Sequence, residues 1–286
     1  MEADLHVHTT ASDGLLTPHE AVREASLSGL RAIGITDHDS VDGIKPAIRA
    51  GRSFIIEVVP GIEINTDFGG RGLHVLGYYL DFQSTSLEEK LIYLRDARNL
   101  RASQIVKKLQ NLGFVIDMDD VIQLVRMGVV GRPHIAQALY KKGYVRTPTD
   151  AFRQYIGRGR PAFVPRYKMT PLDAVTMIRE ANGIPVFAHP GTANADHLIP
   201  DMIERGLLGL EIDHPEHDEK TRQHYREIAN RYKLLKTGGS DSHGALYKTN
   251  VPIGGVCVPY QVVTDLKRIK EEIKTDKSFG IANMER

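Results

Sequence analysis

Short apolar runs alternate along the chain with stretches whose apolar residues recur every three or four positions. Runs of four to eight apolar and β-branched residues read as strands, and the amphipathic stretches between them as helices. Strands are predicted at 4–8, 32–36, 57–64, 73–79, 185–188, 209–212 and 234–237. Thr17-Pro18-His19-Glu20 and Thr170-Pro171-Leu172-Asp173 each put a capping threonine before a proline, a pattern that starts helices. The second of these helices is predicted to stop at Asn182-Gly183. Residues 86–111 read as one long helix with Leu87, Leu91, Leu94, Ile105 and Leu109 on helical spacing, and 262–274 as a closing amphipathic helix. Strands alternating with helices predict an α/β fold, a βα-barrel with parallel strands. No strand pattern interrupts the stretch from 84 to the loop Gly157-Arg158-Gly159-Arg160-Pro161. The expected division is therefore a barrel built from 1–82 and 161–286, with 83–160 inserted as a helical cover over its site.

At 286 residues the chain buries roughly 75% of its unfolded surface, enough to hold a core without disulfides. The single cysteine, Cys257, excludes a disulfide framework and a Cys-rich zinc module, and reads as a small buried hydrophobe. No apolar run reaches the roughly 18 residues of a membrane span. The chain enters Asp4-Leu5-His6-Val7-His8 without a basic and apolar leader, so a cytoplasmic location is expected. The net charge of +1 hides an asymmetry: residues 82–160 hold 14 Lys and Arg against 7 Asp and Glu, a local +7, and the remainder carries −6. Carboxylates for cations and a basic cover for an anionic ligand would produce that split, as would helix surfaces charged for solubility.

The candidate chemistry sits at strand ends. His6 and His8 are two apart, so on a strand both imidazoles point the same way and can grip one metal. Asp13 follows in the loop, the second strand runs into Asp37-His38-Asp39, the third delivers Glu63, and the fourth carries His74. Ala188-His189-Pro190 and Asp241-Ser242-His243 close two later strands. In a parallel barrel all these ends meet at one rim, where sites form. One histidine at a strand end is usually structural; five strand ends with histidine or histidine–carboxylate pairs indicate a polynuclear metal site. Donors of this kind without thiolate suit Zn, Mn or Fe. His19, His197, His217 and His224 read as surface residues, Ser240 and Ser242 as turn residues, Asp39 as a cap, and Asp37 as idle or orienting an imidazole.

His6-Val7-His8-Thr9-Thr10-Ala11-Ser12-Asp13-Gly14, then Thr36-Asp37-His38-Asp39, Gly61-Ile62-Glu63, His74, Ala188-His189-Pro190 and Gly239-Ser240-Asp241-Ser242-His243-Gly244 occur in the order seen in the PHP phosphoesterase family, which the chain resembles from residue 4 to about 244. The resemblance implies a distorted seven-stranded (β/α)7 barrel with two or three divalent ions, manganese first among Mn, Fe and Zn. It implies one ion on His6, His8, Glu63 and Asp241, a second sharing Glu63 with His74 and His189, and a third on Asp13, His38 and His243. It further implies phosphoester hydrolysis by a metal-bound hydroxide.

Within that family Gly131-Arg132-Pro133-His134, Tyr155-Ile156-Gly157-Arg158-Gly159-Arg160-Pro161 and Glu211 with His214-Pro215-Glu216-His217-Asp218 resemble the branch of nucleoside 3′,5′-bisphosphate phosphatases and 5′-to-3′ exoribonucleases. Arg132, His134 and Arg160 are then expected at the phosphate that is not cleaved, and His214 at the leaving oxygen or in a supporting role beside the site. Tyr140, Tyr144, Phe152 and Tyr155 could supply one or two base contacts. The implied partners are a small phosphorylated nucleotide and short RNA 5′ ends, with no membrane and no obligate protein partner. Histidinol phosphate or another small phosphate ester is the alternative substrate, and a metal-binding module without chemistry the alternative class.

Overall fold

The computed structural model describes residues 2–125, 130–165, 169–244 and 251–275. In chain order the elements are β1 (Glu2–Val7), α1 (Pro18–Leu27), β2 (Ala32–Ile35), α2 (Ile44–Phe54), β3 (Glu57–Phe68), β4 (Arg71–Tyr78), α3 (Thr85–Asn111), α4 (Met118–Ile122), α5 (Arg132–Lys141), α6 (Pro148–Ala151), α7 (Pro171–Glu180), β5 (Ile184–Phe187), α8 (Ile199–Glu204), β6 (Gly209–Asp213), α9 (Glu219–Tyr232), β7 (Leu235–Gly238), β8 (Val258–Pro259) and α10 (Gln261–Thr275). The threonine starts behave as their chemistry requires. The Thr17 hydroxyl accepts the Glu20 N–H while the Glu20 carboxylate accepts the Thr17 N–H, and Thr170 with Asp173 repeats the exchange.

The strands lie in the order β7-β6-β5-β4-β3-β2-β1-β8, and a parallel bridge from Val7 to Ser242 brings the segment after β7 against β1, so the sheet curls into a nearly closed barrel. Closure depends on Gly239, where a Cβ would lie 2.4 Å from the His6 nitrogen.

The barrel departs from the expectation in two respects. Among the described residues it has eight strands; β8 is two residues long, too short for its alternation to show in sequence, and covers the outer edge of β1. Nor are all its strands parallel: β4 runs antiparallel to both β3 and β5. The cause is Gly69-Gly70 between β3 and β4, both at positive φ (60° and 76°), the backbone of a tight two-residue hairpin. A hairpin reverses the chain, so β4 enters the sheet from the rim where β3 ends, and His74 lies opposite Asn65 in its first half.

Helix α3 joins two cores. Leu87, Leu91 and Leu94 pack with Ile178, Phe187 and Ile212 of the barrel, each buried leucine contributing about 1.5–3 kcal/mol. Ala102, Ile105, Val106 and Leu109 pack instead with Ile135, Leu139 and Ile156. That second core draws entirely on residues 102–164. Among the described residues no helix is long and apolar enough to cross a membrane.

Candidate metal centre

His6 and His8, on one face of β1 and its extension, bring their Nε2 atoms within 3.1 Å of each other. Glu63 Oε2 lies 3.5 Å from His6 Nε2 and 3.3 Å from His8 Nε2, and Asp241 Oδ1 lies 3.3 and 3.0 Å from the same two atoms. These five separations run from 3.0 to 3.5 Å, and all four donor atoms lie within 4.8 Å of one another. Donors about 3–3.5 Å apart can share one divalent transition metal at bonds of about 2.0–2.2 Å to imidazole and carboxylate. The residues therefore fit an ion. Without an ion the same short contacts are met by a proton on His8, shared toward His6, Asp241 and Glu63.

Glu63 turns its second oxygen the other way. Oε1 is 2.9 Å from His74 Nδ1 and 3.1 Å from His189 Nε2, and those nitrogens are 3.2 Å apart. His38 Nδ1 sits 2.8 Å from Glu63 Oε2, so His38 reaches toward this group as well. Beyond it, donor atoms of His8, Asp13, His38 and His243 all lie within 4.8 Å of one another, with His243 Nε2 3.4 Å from Asp13 Oδ1. The structure thus brings all nine expected residues into one continuous cluster. The sequence had not indicated that His8 and His38 each stand within reach of two groups. Asp13 Oδ1, His38 Nδ1 and Glu63 Oε2 are buried in ion-pair contacts but make no well-aligned hydrogen bond, a state that a cation would complete.

The electrostatics agree. Burial opposes ionisation of Glu63, Asp241 and Asp13, yet the surrounding imidazoles hold all three well below the usual carboxylate range. Burial likewise opposes a charged His8, but hydrogen bonds and charge from Asp241 and Glu63 push its pKa up to about 10. His74 goes the other way, down to about 3, because burial outweighs its contact with Glu63. The carboxylates create a negative potential that protons neutralise in the absence of a metal.

A carboxylate that the sequence left without a role supports the centre. Glu211 on β6, fully buried, accepts the His6 Nδ1–H at 2.9 Å through one oxygen and the His189 backbone N–H at 2.8 Å through the other. The first bond fixes the tautomer that leaves His6 Nε2 free to ligate. The second steadies His189, whose φ of +28° is strained for a residue with a side chain. The sequence signal was a glutamate amid Gly209-Leu210-Glu211-Ile212, inside an apolar strand.

The remaining expectations sort by geometry. His214 Nδ1 accepts the Glu216 N–H at 3.1 Å, so its proton is on Nε2, facing Asp241 Oδ2 at 3.4 Å. This arrangement suits holding Asp241. His217, read from sequence as a surface residue, is buried: it donates to the Ile212 carbonyl and accepts from the Gly191 N–H, pinning the loop that carries His189. Asp37 accepts from the Thr9 N–H, the Thr9 hydroxyl and the Ser12 hydroxyl, and so shapes the loop before Asp13 rather than orienting an imidazole. Asp39 accepts from Asn65 and pairs with Arg98 at 2.7 Å. His19, His197 and His224 are exposed, and Cys257 is half-buried.

A cavity opens beside Asp13 and His38, walled by Arg98 and Arg101 of α3 and Arg132 at the start of α5. Arg132 lies over the Phe152 ring, 5.6 Å from its centre, and has no carboxylate partner among the described residues. His134 lines a neighbouring cavity, and its Nδ1 accepts the Gly131 N–H. Arg160 is exposed on the loop after Ile156 and lines neither cavity. Arg98 and Arg101 escaped the sequence reading although a signal existed: the stripe Leu87, Leu91, Leu94, Ile105, Leu109 passes through positions 98 and 101, so both arginines occupy the inner face of an amphipathic helix.

The model of the PHP domain matches residues 4–155, more than half of the chain. The chain belongs to the PHP family. A 5′-3′ exoribonuclease of Haemophilus influenzae is 34% identical over 84% of this chain and 89% of its own length. A phosphoribosyl 1,2-cyclic phosphate 1,2-diphosphodiesterase of Eggerthella lenta is 32% identical over 91% of this chain and all of its own, and a 3′,5′-nucleoside bisphosphate phosphatase of Chromobacterium violaceum 30% identical over 84% and 86%. A solved structure from Bifidobacterium adolescentis, described as a metal-dependent phosphoesterase, superposes with a TM-score of 0.86 at 30% identity, covering 92% of this chain and 94% of that one. This PHP protein is accordingly a metal-dependent phosphoesterase.

Proposed function

We propose that the protein hydrolyses one phosphate ester of a nucleoside 3′,5′-bisphosphate, and that the same site shortens small RNAs from the 5′ end. The observation that carries this reading is the arginine-lined cavity. Arg98, Arg101 and Arg132 surround a space whose floor is Asp13 and His38, so a second anion has a place beside the ester to be cleaved. Half-buried guanidinium groups can hold phosphate through paired N–H donors. Burial and the nearby Arg98 charge both lower the pKa of Arg132, a strain that an anion would relieve.

In this reading His6, His8, Glu63 and Asp241 hold one ion, Glu63, His74 and His189 a second, and Asp13, His38 and His243 a third. Manganese is the ion of choice for loading, with iron and zinc compatible with the same donors. Divalent ions there would withdraw charge from the phosphate oxygens and acidify the attacking water. The chain's own residues do the positioning. Glu63 presents one oxygen to each of two groups, Glu211 sets the His6 tautomer, His214 holds Asp241, and the arginines fix the uncleaved phosphate. Segment 83–160 is the cover that supplies them. The lone cysteine suits a cytoplasmic setting.

The test is phosphate release by manganese-loaded protein from adenosine 3′,5′-bisphosphate, 5′-AMP, 3′-AMP, histidinol phosphate, a ribosyl 1,2-cyclic phosphate and a 5′-phosphorylated RNA pentamer. Turnover of the bisphosphate well above both monophosphates is expected, as is stepwise shortening of the pentamer. Arg132→Ala should erase most of the advantage of the bisphosphate over 3′-AMP. Exclusive turnover of histidinol phosphate or of the cyclic ester would sink the reading.

A further inference from the structure

A second cavity shares Asp13 and Pro133 with the arginine cavity and otherwise has walls of its own. It is the larger of the two, about 340 Å³ against about 150 Å³. Thr10 and Leu15 from the loop after β1 form one side, Leu124 after α4 another, and His134 and Gln137 of α5 a third. His134 and Gln137 are three apart on a helix, so they share a face.

Two polar atoms in these walls are buried without a hydrogen-bond partner. They are Thr10 Oγ1, on a side chain 2% exposed, and Gln137 Oε1. Each would cost free energy if left unmatched. The His134 ring adds an Nε2–H donor, because its Nδ1 accepts from Gly131. Leu15, Leu124 and Pro133 supply apolar surface between these groups. The wall is mixed, with Ser12, Asp13, Gln123 and Lys141 also lining it, and a site next to the candidate metal centre with apolar patches and these polar groups suits a flat, partly apolar ligand with its own edge of donors and acceptors.

We infer that this cavity seats the nucleoside, with the Gln137 carboxamide reading the edge of the base and the Thr10 hydroxyl meeting a ribose hydroxyl. A glutamine carboxamide offers an acceptor and a donor side by side, the complement of an amino group next to a ring nitrogen, as adenine presents. The inference deepens the proposed function and rests on it: the phosphate occupies the arginine cavity, the base the cavity beyond Asp13.

The test uses Gln137→Leu in the full chain, with Gln137→Met as a second variant should the first melt early. The first readout is the ratio of kcat/KM for adenosine 3′,5′-bisphosphate to that for ribose 3,5-bisphosphate, which lacks the base. The second is adenosine binding to metal-free protein by ligand-observed NMR. Wild type should prefer the nucleotide by about tenfold or more, the discrimination of one bidentate pair. The ratio should fall toward one in the variants, and adenosine binding should be lost. A ratio that keeps its wild-type value, because both rates hold or both drop together, would overturn the inference, as would adenosine binding that survives both substitutions. Should wild type turn over neither bisphosphate while adenosine binding still depends on Gln137, the proposed function would fail and the nucleoside cavity would stand. Bisphosphate turnover with no preference for the base would do the reverse.

Discussion

Replacing Glu211 by glutamine changes one atom type in a fully buried side chain and tests whether the centre depends on its support. In wild type the two carboxylate oxygens each accept one hydrogen bond, from His6 Nδ1–H at 2.9 Å and from the His189 N–H at 2.8 Å. A carboxamide has one acceptor oxygen for those two donors. If the oxygen keeps His189, the amide N–H faces His6 Nδ1 and favours the tautomer whose proton sits on Nε2, where the ion would bind. If it keeps His6, two N–H groups meet at the strained His189. Either way one charge-assisted bond is lost, worth about 1.5–3 kcal/mol. Supporting residues of this kind typically cost about 10–100-fold in metal affinity or activity. Manganese affinity measured by equilibrium dialysis should fall in that range for Glu211→Gln at pH 7.5, with the far-ultraviolet circular dichroism unchanged. The penalty should also shrink at lower pH. Although burial opposes it, Glu211 is the foremost charge raising the pKa of His6, so in wild type an incoming ion competes with a proton that the variant holds less tightly. Equal affinity in wild type and variant at pH 7.5, or a penalty that grows as pH falls, would refute the reasoning.

Three further outcomes follow from the same structure. In chelated protein the proton on His8 is held by Asp241 and Glu63, with a folded pKa of about 10 against 6.5 for a free imidazole; this contribution to stability is complete below pH 6.5 and fades toward pH 10, so metal-free melting midpoints should fall over that window and a flat profile would contradict it. Gly239→Ala would set a Cβ 2.4 Å from the His6 nitrogen and 2.6 Å from its Cβ; thermal melts should show destabilisation of about 1–3 kcal/mol, and an unchanged midpoint would show that the β1–β7 closure has slack. The Cys257 thiol is pushed up to about 12 by burial and by the charges of Asp4 and Glu2, so a thiol reagent at pH 8 should label folded protein slowly and unfolded protein fast, and rapid labelling of the folded chain would be the contrary result.

The sequence displayed its candidate metal donors because they are polar residues at the ends of apolar strands, and that contrast survives without knowledge of the fold. His6 and His8 needed only the period of two to be paired and the shared rim to be gathered with the other donors, whereas their grouping with Glu63 and Asp241 came from the resemblance to the PHP family. Strand direction was legible too, though the signal passed unused: Gly69-Gly70 between two apolar runs marks a hairpin, and a hairpin excludes a parallel β4. Two features were not legible. The sharing of His8 and His38 between groups depends on rotamers and on distances of a few ångström, which no spacing encodes. The two-residue β8 owes its place to β1, whose outer edge it covers.

Charge along the chain was the least informative signal until position was added. The 14 basic residues between 82 and 160 suggested helix surfaces charged for solubility slightly ahead of an anion cover. The structure separates the two by placement. Arg153, Arg158 and Arg160 are exposed, whereas Arg98, Arg101 and Arg132 face the cavity over Asp13 and His38. Arg98 also bonds to Asp39, the residue after a candidate ligand, so the cover is tied electrostatically to the loop that carries the centre. A cation buried on the inner stripe of an amphipathic helix loses hydration that an exposed one keeps, and it is retained where an anion replaces that water. The count of basic residues describes a surface; the two that interrupt the leucine stripe of α3 describe a site. The same reasoning separates Gln137 from the other polar residues of α5, because its oxygen is buried unpaired in the wall of a cavity that adjoins Asp13. On the proposed reading, specificity is written in the polar residues that interrupt apolar faces of α3 and α5, and the candidate metal donors are those that interrupt apolar strands.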